Sequence, residues 1–278
     1  MISPAGRRVL FVHAHPDDET ITTGGTIARY AAAGAHVTVV TCTLGEEGEI
    51  IPPALEQLGA WAADQLGGYR AGELAAAGAA LGWTEHHYLG GIGRWRDSGM
   101  AGTPSAEHPR ALVKGSVEEQ TGQLLAVLEE LRPEVVVTYD SFGGYGHPDH
   151  IRAHEITMAA AARASSVRRV FHTVSSAGAT ARGLEALRQV GGLPFRVPAD
   201  GELPTVADEH ITTAIDITGQ VRVKLAALRA HATQVSVHEP AFALSNGIAQ
   251  PVPAAEYFVL ADGPAAGADD DLFGGLDP

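Results

Sequence analysis

The chain has 278 residues, 45% of them hydrophobic, and is long enough to bury the core of one α/β domain or of two small ones. A formal net charge of −14 argues against nucleic acid or an anionic membrane as its partner. Cys42 is the only cysteine, no secretory signal is evident, and no apolar run reaches membrane-spanning length. We therefore expect a cytoplasmic protein without internal disulfides.

Strands and helices alternate along most of the chain. In chain order, hydrophobic periodicity and turn residues predict strands at 8–12, 36–42, 87–89, 135–139 and 169–174, and helices at 24–33, 70–81, 116–131, 151–162 and 221–232. The segment from 175 to about 210 shows no clear pattern. Residues 263–278, rich in Gly, Ala and Asp, are predicted to be an acidic disordered tail, which leaves 1–262 as a single domain.

This alternation predicts an α/β fold with a mostly parallel sheet and helices on both faces. Ligands of such sheets bind beyond the carboxyl ends of the strands, where the strand order reverses. The first and fourth predicted strands are each followed by a His-Pro-Asp motif, at 15–18 and at 147–150. If these strands are neighbours, both motifs meet in one site. No glycine fingerprint follows the first strand, which disfavours a dinucleotide site.

The two motifs together contain the ligands of a catalytic metal. A catalytic zinc ion needs three protein ligands and one open position, and His15, Asp18 and His150 can supply the three. Asp17 is adjacent to Asp18, points elsewhere, and is free to accept a proton from water. His147 lies three residues before His150 and can reach the same cavity without binding the metal.

Neighbouring residues suggest supporting roles. Asp149 is placed to hold a ring nitrogen of His147 and favour its charged form. Tyr145 lies among glycines, in a loop that can approach a substrate closely. His154 lies one helical turn after His150, but Ile151 occupies the position where a zincin carries Glu, so we expect His154 to lie outside the ligand set.

Two loops can be interpreted either as plain surface loops or as parts of the site. The acidic run at 46–49 is a solvated loop or part of the rim of the site. The polar stretch 93–97, flanked by glycines, is a surface loop or, as we favour, a loop facing the substrate.

The motifs at 14–19 and 146–150 resemble the zinc-dependent N-acetylglucosaminyl deacetylase family, also called LmbE-like or PIG-L-like. The stretches 42–49, 64–70, 93–100 and 243–246 resemble its mycothiol-biosynthesis branch, and the resemblance covers nearly the whole chain except the acidic tail. A neighbouring branch, the mycothiol S-conjugate amidases, carries a Lys soon after the first motif. Residues 20–23 here contain none, which favours the deacetylase.

The resemblance implies a Rossmann-like fold and a set of roles. It places the metal ligands at His15, Asp18 and His150, the general base at Asp17, oxyanion and leaving-group stabilisation at His147 and Tyr145, support of His147 at Asp149, and substrate contacts at Arg70 and Asp97. We add Glu49, from the acidic run, to the expected substrate contacts.

The implied reaction is metal-dependent hydrolysis of N-acetylglucosaminyl-inositol to glucosaminyl-inositol and acetate. The implied cofactor is one Zn²⁺ per chain, although the same ligands also suit Fe²⁺. The alternatives are a mycothiol S-conjugate amidase or a related N-acetyl sugar deacetylase. A sugar-binding protein without activity would be expected to lose Asp17 or His147, and both are present.

Overall fold

The computed structural model describes residues 4–277. The strands are β1 (Arg8–His13), β2 (His36–Thr41), β3 (Glu85–Tyr88), β4 (Val135–Thr138), β5 (Arg169–Val174), β6 (Thr213–Asp216), β7 (Ser236–His238), β8 (Ala241–Ala243), β9 (Gln250–Pro251) and β10 (Ala255–Asp262). The helices are α1 (Asp18–Ala32), α2 (Leu66–Leu81), α3 (Val117–Leu131), α4 (Gly143–Gly146), α5 (Pro148–Ala161), α6 (Ala177–Arg188) and α7 (Val221–Ala230).

Seven strands form the main sheet, in the order β3-β2-β1-β4-β5-β10-β6. The first five of these are parallel, and β10 runs antiparallel between β5 and β6. The predicted α/β fold with a mostly parallel sheet is therefore confirmed. β1 pairs directly with β4, with Val9 opposite Val135 and Phe11 opposite Val137. The strand order reverses here, so this point is the switch at which ligands bind in such sheets.

Helices cover both faces of the sheet. Side chains alternate between the faces along a strand, so Phe11 and Leu10 point to opposite sides. Phe11 belongs to a buried cluster that includes Ile27 of α1, whereas Leu10 belongs to one that includes Leu124 of α3 and Ile156 of α5. Two apolar layers thus hold the central strands, and only the strand ends remain available for polar chemistry.

Several elements differ from the sequence-based expectation. Helix α1 begins at Asp18, six residues earlier than predicted, so the first motif itself forms the helix start. α6 lies within the segment that showed no pattern, where Ser176 caps it by accepting a hydrogen bond from the Ala179 N–H. The small sheet β7-β8-β9 and the strands β6 and β10 were not predicted either. Among the described residues, no helix is long and apolar enough to cross a bilayer.

The prediction of a disordered tail was wrong for residues 263–277. Leu272, Phe273 and Leu276 are buried in the same cluster as Phe11. The buried Arg169 guanidinium donates to the carbonyls of Pro264, Ala266 and Leu272. The overall Gly, Ala and Asp content obscured three large apolar side chains, and these order the segment. Pro278 lies outside the described residues.

We expect Leu272→Ala to lower the free energy of unfolding by about 2–5 kcal/mol, the usual cost of emptying a buried leucine site. Urea denaturation followed by circular dichroism measures this change. Asp270→Asn, at an exposed position of the same segment, is the matched control and should leave the midpoint unchanged. Equal midpoints for wild type and Leu272→Ala would show that the segment does not contribute to the core.

Candidate active site

The two His-Pro-Asp motifs lie side by side at the carboxyl ends of β1 and β4. Each motif leads into a helix: α1 begins at Asp18 and α5 begins at Pro148. Proline is favoured in the first helical turn because its ring fixes φ and its missing N–H has no partner there. Pairing of β1 with β4 therefore delivers both motifs to one point, as the sequence predicted.

Three potential ligand atoms form a nearly equilateral triangle. The distances are 3.2 Å from His15 Nδ1 to Asp18 Oδ2, 3.3 Å from His150 Nε2 to Asp18 Oδ2, and 3.3 Å from His15 Nδ1 to His150 Nε2. Ligand atoms placed tetrahedrally at about 2.0–2.1 Å from zinc are separated by about 3.3–3.4 Å. The triangle therefore fits one face of a tetrahedral metal site.

Outer partners orient the imidazoles of this triangle. His15 Nε2 faces Asp149 Oδ2 at 3.3 Å and Asp97 Oδ1 at 3.4 Å, and His150 Nδ1 donates to the Gly143 carbonyl at 3.1 Å. Metal-binding histidines commonly donate their second ring nitrogen in this way. The atoms of His15, Asp97 and Asp149 also lie within 4.8 Å of one another, but these carboxylates face the nitrogen opposite the triangle. We therefore assign them as hydrogen-bond acceptors for His15.

The electrostatics of the cluster favour a positive charge. Burial alone lowers the pKa of His15, but Asp97, Asp149 and Asp18 outweigh it and raise that pKa well above the ordinary value. Burial alone raises the pKa of Asp18, yet His150 and His15 bring it well below the ordinary range. An environment that retains a proton on His15 in this way also suits a bound cation, so the donor set fits a metal cofactor.

Asp17 lies beside the triangle without belonging to it. Its Oδ2 is 3.2 Å from Arg70 Nη2, and its backbone N–H donates to Glu19 Oε2 at 2.9 Å. Burial, the largest effect, raises the pKa of Asp17 to about 6, although the Arg70 charge opposes the shift. A carboxylate with a pKa in this range can both accept and return a proton near neutral pH.

Arg70, an expected substrate contact, is buried and does not lie on an open surface. It is only 3% exposed, and its guanidinium donates to the carbonyls of Gly45 and Pro16 in addition to pairing with Asp17. Arg70 therefore holds the first motif against the loop that follows β2.

The other two expected substrate contacts differ in exposure. Asp97 is buried, where its Oδ1 accepts the Gly99 N–H and its Oδ2 accepts the Glu47 N–H. Glu49 is exposed and accepts a hydrogen bond from Ser245 Oγ at 2.6 Å. Asp97 thus belongs to the interior of the site, whereas Glu49 links two surface loops.

Asp149 does not support His147 in the predicted way. The Asp149 carboxylate accepts the Ser98 N–H and faces His15, and only its backbone N–H reaches His147, donating to Nδ1 at 3.2 Å. His147 caps α5, so the backbone occupies the nitrogen that the carboxylate was expected to hold. Burial and the neighbouring His15 and His150 lower the pKa of His147 to about 3, which favours its neutral form.

His147 and Tyr145 border the triangle. The His147 ring centroid lies 4.6 Å from that of His15, and the half-exposed Tyr145 ring lies 5.0 Å from that of His150. His154 lies farther along α5, where its Nδ1 donates to the Tyr139 carbonyl, outside the triangle as predicted.

Sequence reasoning missed three residues that support the site. The buried Tyr139 hydroxyl accepts the Ala14 N–H and donates to Asp18 Oδ2, both at 2.8 Å, and its ring stacks on His150. Its position at the end of a predicted strand, just before the second motif, was the available signal. Glu19 and His231 form a buried pair at 2.8 Å. They are 212 residues apart, so no local pattern links them.

The sequence of this chain is similar to those of known proteins. Residues 10–161 match the PIG-L family, described as GlcNAc-PI de-N-acetylase. A protein of Saccharomonospora viridis named 1D-myo-inositol 2-acetamido-2-deoxy-alpha-D-glucopyranoside deacetylase is 72% identical over 96% of this chain and 100% of its own length. One of the same name from Actinosynnema mirum is 63% identical over 99% of both chains.

Solved structures share the fold at lower identity. N,N'-diacetylchitobiose deacetylase from Pyrococcus horikoshii has a TM-score of 0.55 at 20% identity, covering 82% of this chain and 70% of that one. Teicoplanin deacetylase in a zinc-inhibited form has a TM-score of 0.54 at 19% identity, covering 92% and 100%. At these identities the likeness concerns the fold alone. The family match and the high-identity relatives show that this chain belongs to the PIG-L family of de-N-acetylases.

Proposed function

We propose that this protein hydrolyses the acetamide of 1D-myo-inositol 2-acetamido-2-deoxy-α-D-glucopyranoside, releasing acetate and the free amine. The observation that carries the proposal is the metal-fitting triangle with an unbound carboxylate, Asp17, beside it. The substrate follows from relatives up to 72% identical over almost the whole chain that bear this name. The step belongs to mycothiol biosynthesis, the branch that the sequence resembles, and we place it in the cytoplasm.

We further propose that His15, Asp18 and His150 bind one Zn²⁺, with Fe²⁺ as the alternative ion for the same donors. When bound, the ion acts as a Lewis acid that lowers the pKa of water and polarises the acetamide carbonyl. The three ligands come from both motifs, so binding also ties the two loops together.

Asp17 serves as general base in this proposal. It accepts the proton of the attacking water, and its raised pKa of about 6 makes that transfer reversible. His147 stabilises the oxyanion. Because its Nδ1 accepts the Asp149 N–H, its proton resides on Nε2, which is left to donate. The Tyr145 hydroxyl offers a second donor, beside the His147 N–H, at the mouth of the site. Asp149 acts by orienting both His147 and His15.

The proton for the departing amine comes from Asp17 in this proposal. After the attack Asp17 holds the proton taken from water. Protonated His147 is scarce near neutral pH because burial and two neighbouring imidazoles lower its pKa to about 3. A single carboxylate therefore takes and returns the proton.

Amine release tests the function directly. Purified protein loaded with zinc should release amine from N-acetylglucosaminyl-inositol much faster than from a mycothiol S-conjugate. Preference for the conjugate would establish the amidase instead, and no release from either compound would refute the assigned reaction.

The ligand assignment predicts a loss of metal. Ala at His15, Asp18 or His150 should reduce bound zinc well below one equivalent, because two remaining donors hold the ion poorly. Inductively coupled plasma spectrometry of dialysed protein measures this. His154→Ala, on the same helix as His150, is the matched control and should retain the metal. Full occupancy in His150→Ala would contradict the assignment.

Substitutions of the base and the donor should separate activity from metal binding. We expect Asp17→Asn to keep its zinc and to lose roughly 10²–10⁴ in kcat, the contribution of one acid–base group. His147→Ala should also keep its zinc and lose roughly 10²–10³ in kcat, the contribution of one oxyanion donor. Steady-state kinetics and metal analysis on the same preparations decide the matter. A variant that loses zinc in proportion to its rate would identify that residue as part of the metal site.

Arg70, Asp97 and Glu49 remain proposed substrate contacts, but the burial of Arg70 adds a competing role. Because Arg70 pairs with Asp17, we expect Arg70→Ala to lower kcat/KM equally for N-acetylglucosaminyl-inositol and for plain N-acetylglucosamine. Glu49 is exposed, so Glu49→Gln should lower kcat/KM only for the inositol compound, mainly by raising KM. A loss confined to the inositol compound in Arg70→Ala would instead assign Arg70 to substrate recognition.

A further inference from the structure

Asp17 has an unusual backbone conformation. Its φ is 115° and its ψ is −34°. The other non-glycine residues with positive φ among 4–277 are Asp64 and Arg132, at 53° and 50°, close to left-handed helical values. Asp17 lies well outside that region, and such a conformation persists only where the surroundings hold it. Its side chain makes no capping hydrogen bond to α1, so the restraint comes from other groups.

Glu19 supplies that restraint from within the protein. Its side chain is fully buried, and its Oε2 accepts the Asp17 N–H at 2.9 Å. Its Oε1 accepts hydrogen bonds from Thr20 Oγ1 and from His231 Nε2, the latter at 2.8 Å. Because a carboxylate has no proton to offer, the imidazole is the donor. A chain of contacts thus runs from His231 through Glu19 to the backbone of Asp17.

His231 is a fixed anchor for this chain. It follows the last residue of α7 and is fully buried. Its carbonyl accepts the N–H groups of Gln234 and Val235, which fixes the turn after the helix. Negative charge at a helix carboxyl end favours an imidazolium there. α7 packs against α1 and α2, so the position of His231 is fixed relative to α1.

We propose that Glu19, held by His231, is a positioning residue for the proposed general base Asp17. It fixes the strained backbone of Asp17 and thereby aims the Asp17 carboxylate at the reacting water. Arg70 holds the carboxylate end of the same residue from the opposite side. This inference rests on the role of Asp17 in the proposed function.

Three variants test the positioning role. Glu19→Gln leaves one acceptor oxygen for the three groups that donate to Glu19. His231→Phe removes the anchor, and His231→Gln restores a donor. We expect the first two to lower kcat on the order of 10–100-fold, the usual effect of a misplaced reacting group, with KM and zinc content unchanged. His231→Gln should recover much of the loss. Faster hydrogen exchange at the Asp17 amide in Glu19→Gln gives a readout that needs no turnover.

Glu256→Gln is the matched control. Glu256 is a second buried carboxylate that binds α1, accepting the N–H groups of Gly25 and Thr26, and it pairs with Lys224. Glu256→Gln should lower the unfolding temperature without changing kcat per bound zinc. An equal fall in kcat for Glu256→Gln and Glu19→Gln would reduce Glu19 to a general stabiliser of α1 and overturn the proposal.

A double-mutant cycle gives the decisive comparison. If Glu19 acts through Asp17, the pair Asp17→Asn and Glu19→Gln should be no slower than Asp17→Asn alone. Multiplicative losses, or loss of zinc in Glu19→Gln, would overturn the positioning role. Failure of the proposed function is distinguished at the outset, because in that case wild-type protein releases no amine and Asp17→Asn changes nothing.

Discussion

The parallel pairing of β1 with β4 is the contact on which the whole site depends. It brings together His15 and His150, which are 135 residues apart in the chain, with ring nitrogens at 3.3 Å. The pairing is held by two apolar layers, one on each face of the sheet, that include no atom of the metal triangle. Because side chains alternate along a strand, a register shift of one residue in β1 would exchange its side chains between the two layers and disrupt the packing of both. The core therefore fixes the relative position of the two motifs before any ligand binds.

Charge is the second constraint on the site. Asp17, Asp18, Asp97 and Asp149 are all buried near His15. Carboxylates in such numbers repel one another in a medium of low dielectric unless cations or N–H groups compensate them. Here imidazoles, backbone N–H groups and the amino ends of α1 and α5 supply part of the compensation. A bound metal cation adds to it, so metal binding and stability of the site are physically linked.

Local sequence signals predicted what depends on neighbours in the chain. β5 spans the predicted range 169–174, and α3 and α5 begin within three residues of their predicted starts. The ligand set followed from two strand ends and from the assumption that those strands are adjacent. Nothing in the spacing of the motifs required that adjacency; it follows from the doubly wound strand order, in which the first strand pairs with the fourth.

Contacts between distant segments could not be predicted in the same way. The roles of Asp149 and Arg70 depend on which atom meets which partner. Asp149 lies only two residues after His147 in the chain. Its carboxylate nevertheless faces His15, which belongs to the first motif. The disorder prediction for residues 263–277 likewise depended on their many small residues. The structure of that segment is determined instead by the buried side chains of Leu272, Phe273 and Leu276.

The division of labour between the two motifs explains why the chemistry needs both. The first motif carries the proposed base, Asp17, at the start of α1, and the second carries the proposed donor, His147, at the start of α5. Each motif also contributes to the triangle, so the proposed metal site, the base Asp17 and the oxyanion donor His147 share one set of backbone supports. A disturbance of either loop would therefore alter the proposed metal site together with the position of Asp17 or His147. Buried partners of the proposed ligands, such as Tyr139, whose hydroxyl donates to Asp18 Oδ2, accordingly belong to the working site as much as the groups that touch substrate.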